Sequence, residues 1–241
     1  MNVKKILVSG GDGDFAKSLL SIFDRERFEL FLVNRGEMDV RDIFQIEKTI
    51  EKIKPDYFIH AAALTRPMDI HEKNPEKSIL NNIVGTSNVV LACMNKNIKL
   101  IYLSTDYVYP GTKGNYSEND PVFPVNEYAW SKLGGECSVM LYENSCILRM
   151  AMVKKPFPHN AAIVDSYKSS IFIEDAAKIS LELIDKFGIY NVGEKRMSIY
   201  EFAKKTIPGV KKLFLKEIKN VKMAKDSSMN IGKINNELKN D

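Results

Sequence analysis

Along the first 150 residues, short β-rich runs alternate with stretches of helical periodicity, and this alternation limits the fold more than any other feature of the chain. Parallel strands cannot be joined by tight turns, so the order strand, helix, strand predicts crossover units and a doubly wound parallel sheet of the α/β class. Residues 3–9, 28–33, 57–61, 98–104 and 146–150 read as its strands. Residues 15–24 read as the first helix. Asp42 caps a second, in which Ile43, Phe44, Ile46, Ile50 and Ile53 recur at helical spacing, and residues 75–95 form a long third. Residues 110–126 are turn-rich and long for a connection in a compact domain, which marks a binding loop. Beyond residue 150 the pattern thins: 153–170 is irregular, 173–186 helical and 188–192 a short strand. Ser198, with Glu201 three residues on, opens the last clear helix. Residues 1–150 are therefore expected to form the sheet domain, and 151–241 an abbreviated substrate-binding region intertwined with it, not an independent domain.

Composition narrows the class. A chain of 241 residues, 44% hydrophobic and 27% charged, can bury a sizeable core. The net charge of +4 is spread over scattered lysines, densest over 211–225, and reads as a solvated face, with no nucleic-acid partner expected. Cys93, Cys137 and Cys146 are odd in number and lack Cys-x-x-Cys spacing, and His60, His71 and His159 are scattered; neither set suggests a metal site or a disulfide framework. With no signal segment ahead of strand one and no apolar run of membrane length, the expected location is the cytoplasm, without membrane attachment.

Strand one ends in Ser9-Gly10-Gly11-Asp12-Gly13-Asp14-Phe15-Ala16. Glycines at a strand-to-helix junction let backbone amides approach a pyrophosphate at the helix N-terminus, as a Rossmann-type dinucleotide site requires. Gly10 and Gly13 fit a Gly-x-x-Gly-x-x-Gly spacing with Ala16 in the third place, and Asp14 and Phe15 complete the turn's candidate cofactor contacts. Strand two ends Val33-Asn34-Arg35, where an acidic residue would select NAD(H); Arg35 could instead bind a 2′-phosphate, which favours NADP(H) and leaves NAD(H) possible.

Three Tyr-x-x-x-Lys spacings occur. Tyr109 and Lys113 enclose Pro110 and Gly111 and share no helix face. Tyr200 and Lys204 lie in a helix that no hydroxyl-bearing strand precedes. Tyr128 and Lys132 follow a strand ending Ser104-Thr105-Asp106, and on one helix face their charges would lie about 4 Å apart. At an effective dielectric near 20 the attraction is roughly 4 kcal/mol, about 3 pKa units, so Lys132 is expected to bring the Tyr128 phenol toward working pH.

These pieces, in this order, resemble the extended short-chain dehydrogenase/reductases, most closely the dTDP-4-dehydrorhamnose reductase (RmlD-like) group. The resemblance rests on Gly10, Gly13, Asp39-Val40, Ala61-Ala62-Ala63, Asn82 with Gly85-Thr86, residues 104–109, and Tyr128 with Lys132. It implies that Asp39 and Val40 flank the adenine and that Ala61, Ala62 and Ala63 line the cofactor. Tyr128 would protonate the carbonyl oxygen as hydride arrives from the nicotinamide. Lys132 would hold the nicotinamide ribose, and Thr105 would hydrogen-bond the substrate oxygen. Asn82, counted among the cofactor contacts, is open between ordering a water and packing.

Sugar-nucleotide dehydratases of the superfamily carry Thr-Asp-Glu where this chain has Thr105-Asp106-Tyr107, so dehydration is disfavoured. The implied activity is an NAD(P)H-dependent reduction of a nucleotide-activated 4-keto-deoxysugar, as in dTDP-rhamnose and surface polysaccharide biosynthesis, by a chain that could be a homodimer. A 4-epimerase and a non-catalytic NADP-binding regulatory subunit remain alternatives, because the region after Arg149 is short and identifies no substrate. Residues 156–159 and Arg196 are candidates for its pocket.

Overall fold

The computed structural model describes residues 3–219 and 221–240; Met1 and Asn2, within the expected first domain, and Asn220, inside the lysine-rich stretch, lie outside the described residues. In chain order the elements are β1 (Lys4–Ser9), α1 (Asp14–Ile22), β2 (Phe28–Val33), α2 (Ile43–Ile53), β3 (Tyr57–His60), α3 (Ile70–Lys73) and α4 (Pro75–Ser78). A π-helical segment (Ile79–Val84) joins α4 to α5 (Gly85–Lys96), followed by β4 (Lys99–Thr105), α6 (Glu127–Met140) and β5 (Ser145–Val153). The rest comprises β6 (Ala161–Ile163), β7 (Tyr167–Lys168), β8 (Ser170–Phe172), α7 (Ile173–Glu182), β9 (Gly188–Val192), β10 (Met197–Ser198), α8 (Ile199–Lys204), β11 (Lys211–Leu213) and α9 (Gly232–Asn240).

The main sheet runs β2-β1-β3-β4-β5 and every pairing in it is parallel. β5 is long enough to serve two partners: Cys146 to Met150 pair with β9, and Ala151 to Val153 continue along β8. Its strands read as unbroken apolar runs because both faces are covered. Ile6 and Val8 of β1 point into a core shared with α1, α7 and α9, while Leu7 points into the other, among Ile46, Ile50, Val89 and Cys93 of α2 and α5. Strand order reverses at β1, which has β2 on one side and β3 on the other. In doubly wound sheets a reversal of this kind is where ligands bind, outside the carboxyl ends of the strands.

The expected third helix starts at Pro75, where Asn74 accepts from Lys77 N, and runs on as one helical stretch whose hydrogen bonding widens over Ile79–Val84. Residues 153–170, expected to be irregular, carry β6, β7 and the start of β8; β6 pairs with β11 and β7 with β10. The helix at Ser198 has its capping box, but it is not the last: α9 follows. Among the described side chains of α9, Ile234 alone is fully buried, followed by polar Asn235 and Asn236 and the partly buried Leu238, too thin a stripe to register as periodicity.

Candidate active site

The turn after β1 is clamped between two strand ends. Gly11 N donates to Val33 O at 2.9 Å, and Gly10 adopts φ +76° with its α-carbon so near β3 that a side chain would meet the Ala62 backbone at 3.0 Å. Gly13 is the N-cap of α1 and no side chain caps the first amides of that helix. Free amides at a helix N-terminus behind a close-packed glycine turn are the donors that a dinucleotide pyrophosphate requires, so the site fits that group. The Asp14 carboxylate turns aside to Lys154 Nζ at 2.6 Å, and Phe15 buries its ring in the core, leaving its amide for the turn. Ala61, Ala62 and Ala63 are half-buried at the end of β3, and Ala62 N donates to Ser9 Oγ.

Beyond β2, Asp39 is gripped by two arginines: Arg41 Nε reaches it at 2.9 and 3.0 Å and Arg35 Nε at 3.4 Å. The hydrogen bond from Arg41 is the main reason its carboxyl falls to about 2. Arg35 stays mostly exposed. Val40 points inward against Gly85, and its carbonyl accepts from Asn88 Nδ2. Arg41 was not singled out in the sequence; a basic residue two positions past Asp39 was the available signal.

Thr105 ends β4, and α6 packs along that strand and over the 3-10 turn Asp106–Val108, which brings the first turn of α6, with Tyr128, to the same edge. Asn126 caps α6 by accepting from Ala129 N. Thr105 Oγ1 donates to Asp106 Oδ1 at a long 3.3 Å and accepts from Tyr107 N.

Lys132 departs from expectation. It is 3% exposed, and its ammonium lies 4.1 Å from the centre of the Tyr102 ring. Burial lowers its pKa to about 7 against the opposing pull of Glu136. Burial, and then the charge of Asp106, push the Tyr128 phenol up, with Arg66 pulling the other way. The expected drop of Tyr128 toward neutrality is therefore absent: the Lys132 ammonium is turned to Tyr102, and desolvation with the Asp106 charge sets the direction of the Tyr128 phenol.

Behind these groups the Asn82 side chain is fully bonded. Asn82 accepts from Leu64 N at 2.7 Å and donates to Leu64 O at 2.9 Å and to Ser131 Oγ at 2.8 Å, so both its amide hydrogens are committed. That arrangement favours packing over water ordering. Ser131 Oγ in turn donates to Tyr128 O. Helix α6 approaches the π segment closely because position 135 is glycine; a side chain there would lie 2.5 Å from Asn82 O.

His60 is buried and neutral, its pKa held to about 3 chiefly by desolvation. Thr86 Oγ1 gives its proton to Asn82 O, which leaves His60 Nε2 as the donor to Thr86 at 3.1 Å and Nδ1 as acceptor from Ser9 Oγ at 2.8 Å. This chain ties the glycine turn to the π segment.

A turn beyond Lys132, Glu136 is fully buried and binds Arg149 Nη2 at 2.6 Å and Nε at 3.1 Å, while Ser104 Oγ donates to its other oxygen. Arg149 also donates to Tyr109 Oη, which donates to Asn191 Oδ1. Neither member of the pair was singled out in the sequence. Their signal is an arginine inside an otherwise apolar buried strand, which demands a carboxylate.

The other two Tyr-x-x-x-Lys spacings lie elsewhere: Tyr109 in this network, with Lys113 out on the loop beside Asp120, and Tyr200 with Lys204 on α8. Arg196 is held by Asp226 at 2.7 and 2.8 Å, and Phe157 is buried beneath α8. Asp106 binds Lys168 Nζ and Ser227 Oγ, fastening the C-terminal segment to the end of β4.

Residues 4–164 match the family model described as RmlD substrate binding domain. The dTDP-4-dehydrorhamnose reductase of Aggregatibacter actinomycetemcomitans is 26% identical over 226 residues, 83% of this chain and 76% of that protein. Methionine adenosyltransferase 2 subunit beta of Xenopus laevis is 30% identical over 207 residues, 74% of this chain and 60% of the relative. In fold, the chain resembles the crystal structure of dTDP-4-dehydrorhamnose reductase from Bacillus anthracis in complex with NADP, with TM-score 0.88 and 24% identity over 97% of this chain and 92% of that one. Because the family model spans two thirds of the sequence and the fold agrees throughout, the chain belongs to the RmlD substrate-binding domain family.

Proposed function

We propose that this protein is an NADP(H)-preferring reductase of a nucleotide-activated 4-keto-deoxysugar, dTDP-4-dehydrorhamnose reductase-like, working in the cytoplasm and open to assembly as a homodimer. The observation that carries the reading is the packing of α6, whose first turn holds Tyr128, on β4 and on the 3-10 turn that follows Thr105, with Tyr128 near enough to feel the charge of Asp106, in a chain whose first strand ends in a glycine turn fitted to pyrophosphate. Gly10, Gly13, the amides of Asp14 and Phe15, and Ala61 to Ala63 would hold the cofactor along the strand ends. Arg35 and Arg41 would meet the 2′-phosphate, and by neutralising Asp39 they remove the carboxylate that would repel it. Bound NADPH supplies the hydride.

The chain's own part is the oxygen. Reduction turns a carbonyl oxygen into an oxyanion, and Tyr128, a phenol kept protonated by burial, is the acid that delivers its proton there. Thr105 Oγ1, bonded to Asp106 only at 3.3 Å, is free to redirect its hydrogen to the same atom. Lys132 would hold the nicotinamide ribose, and Asn82 would fix Leu64 and the catalytic helix. On the substrate side, a cavity of about 410 Å³ lined by Glu72, Lys219 and Lys222 lies beside the cap of α6, since Lys222 O accepts from Asn126, and its lysines would meet a diphosphate. Residues 151–241 would serve as the substrate-binding part of the same unit.

Incubation with NADPH and a panel of nucleotide 4-keto-sugars, followed by loss of reduced-nicotinamide absorbance, tests the reading. Turnover of one member supports it. Tight NADPH binding with no turnover of any would replace it with a regulatory subunit, the reading favoured by the 30% identity to a methionine adenosyltransferase β subunit.

A further inference from the structure

His71, on the short helix α3, belongs to none of the groups assigned above, yet its ring packs on the ring of Tyr128 with centroids 5.2 Å apart and planes tilted by 60°. It is 1% exposed. Its Nδ1 is fixed by Ser78 Oγ at 2.7 Å and the Thr65 backbone lies close enough to influence the ring, whereas Nε2 is buried and makes no hydrogen bond of ordinary geometry among the described residues. A buried polar atom left without a partner is disfavoured, so its presence against the reacting residue calls for a reason.

The surroundings of Tyr128 supply one. Lys132 turns its ammonium to Tyr102, and no hydrogen bond to the Tyr128 hydroxyl is present among the described residues. The ring of the proton donor is thus positioned by packing, and His71 is a ring against it. His71 also borders an apolar cavity of about 560 Å³ between α4, the π segment and α6, lined also by Ile79, Ile83 and Trp130. Without the imidazole, the Tyr128 ring would lose that neighbour and gain the volume the imidazole vacates.

We propose that His71 is the positioning residue of Tyr128: oriented by Ser78, its ring backs the phenol and holds the hydroxyl at the point where the substrate oxygen is protonated. The inference rests on the reading of Tyr128 as proton donor. It predicts a particular pattern of losses, because misplacing a reacting group by about an ångström can cost up to roughly a hundredfold in rate without loosening ligands held elsewhere.

The test compares His71→Ala, His71→Phe, His71→Asn and Tyr128→Phe by kcat and KM for the keto-sugar turned over by the wild type, and by NADPH affinity from fluorescence titration. His71→Ala and His71→Asn, which lack a six-membered or five-membered ring, should lose at least about tenfold in kcat with KM and NADPH affinity unchanged. His71→Phe, which restores a ring but cannot bond Ser78, should recover most of that loss. Normal kcat in His71→Ala beside an inactive Tyr128→Phe overturns the role of His71 alone. An active Tyr128→Phe overturns the proton-donor reading beneath it. Equal loss in Ala and Phe variants, with weakened NADPH binding in both, would mean a general structural role and would also overturn the proposal.

Discussion

Lys132 and Glu136 lie one turn apart on α6, both buried, and the chain treats their charges in opposite ways. Glu136 has Arg149 on one oxygen and Ser104 on the other, and Arg149 passes its Nη1 hydrogens to Tyr109 and the Glu118 carbonyl. Among the described residues, Lys132 has the face of Tyr102 and the distant pull of Glu136, and its pKa drops to about 7. The first arrangement meets the cost of burial where it arises; the second leaves it standing at the place where ligand chemistry is proposed. A frame of satisfied charges thus supports a site holding an unsatisfied one, as expected where function competes with stability.

Separating the pair is the most severe way to break this contrast. Arg149→Leu leaves Glu136 buried without its cation and should cost about 3–5 kcal/mol in urea unfolding, whereas a loss under about 1 kcal/mol would mean that the frame relaxes freely. Asp106→Asn, which weakens the hold on Lys168 and Ser227, should cost less, about 1–3 kcal/mol, and should expose residues 224–230 to amide exchange ahead of β4.

Lys132→Met sharpens the comparison from the other side. Turnover should fall steeply while the ligand-free protein keeps or gains stability. The gain has a defined pH course. Folding favours the neutral amine, so between about 7 and 10.5 the unfolded chain binds a proton that the folded chain does not. Stability of the wild type therefore rises with pH across that window, and the advantage of the Met variant should be full below about 7 and gone by 10.5. A constant difference across pH would show that Lys132 is charged throughout. The smallest effect is local: Asp42→Ala removes the cap of α2 and should cost about 1 kcal/mol with no change in turnover.

Much of this frame was legible. The strands announce themselves as apolar runs because both faces are buried, and Ser198 and Asp42 declare their caps by residue type. The places of Thr105 at a strand end and Tyr128 at a helix start were legible because strand ends and helix starts fall on one edge of a parallel sheet. What the sequence could not convey was torsion and long-range bonding. A spacing of four fixes a helix face but not where four side-chain bonds carry the Lys132 ammonium. Residues 224–230 have no period at all: they are placed by side chains bonding to backbone, Ser166 Oγ to Ala224 O and Ser169 Oγ to Met229 O, and by Asn230 N to Tyr116 O. Glu136 and Arg149 are separated by 13 positions, and they meet because α6 packs over β4 and β5, whose parallel register sets Ser104 beside Arg149.

The claim that Tyr128 supplies the proton is tested most directly by single-turnover reduction of the keto-sugar with saturating NADPH, comparing the wild type with Tyr128→Phe. The account predicts a rate loss of at least about a hundredfold with unaltered NADPH affinity. It also predicts a wild-type rate that does not collapse between pH 7 and 9, since burial keeps the phenol protonated there. A Phe variant that reduces the substrate at near wild-type rate would contradict it.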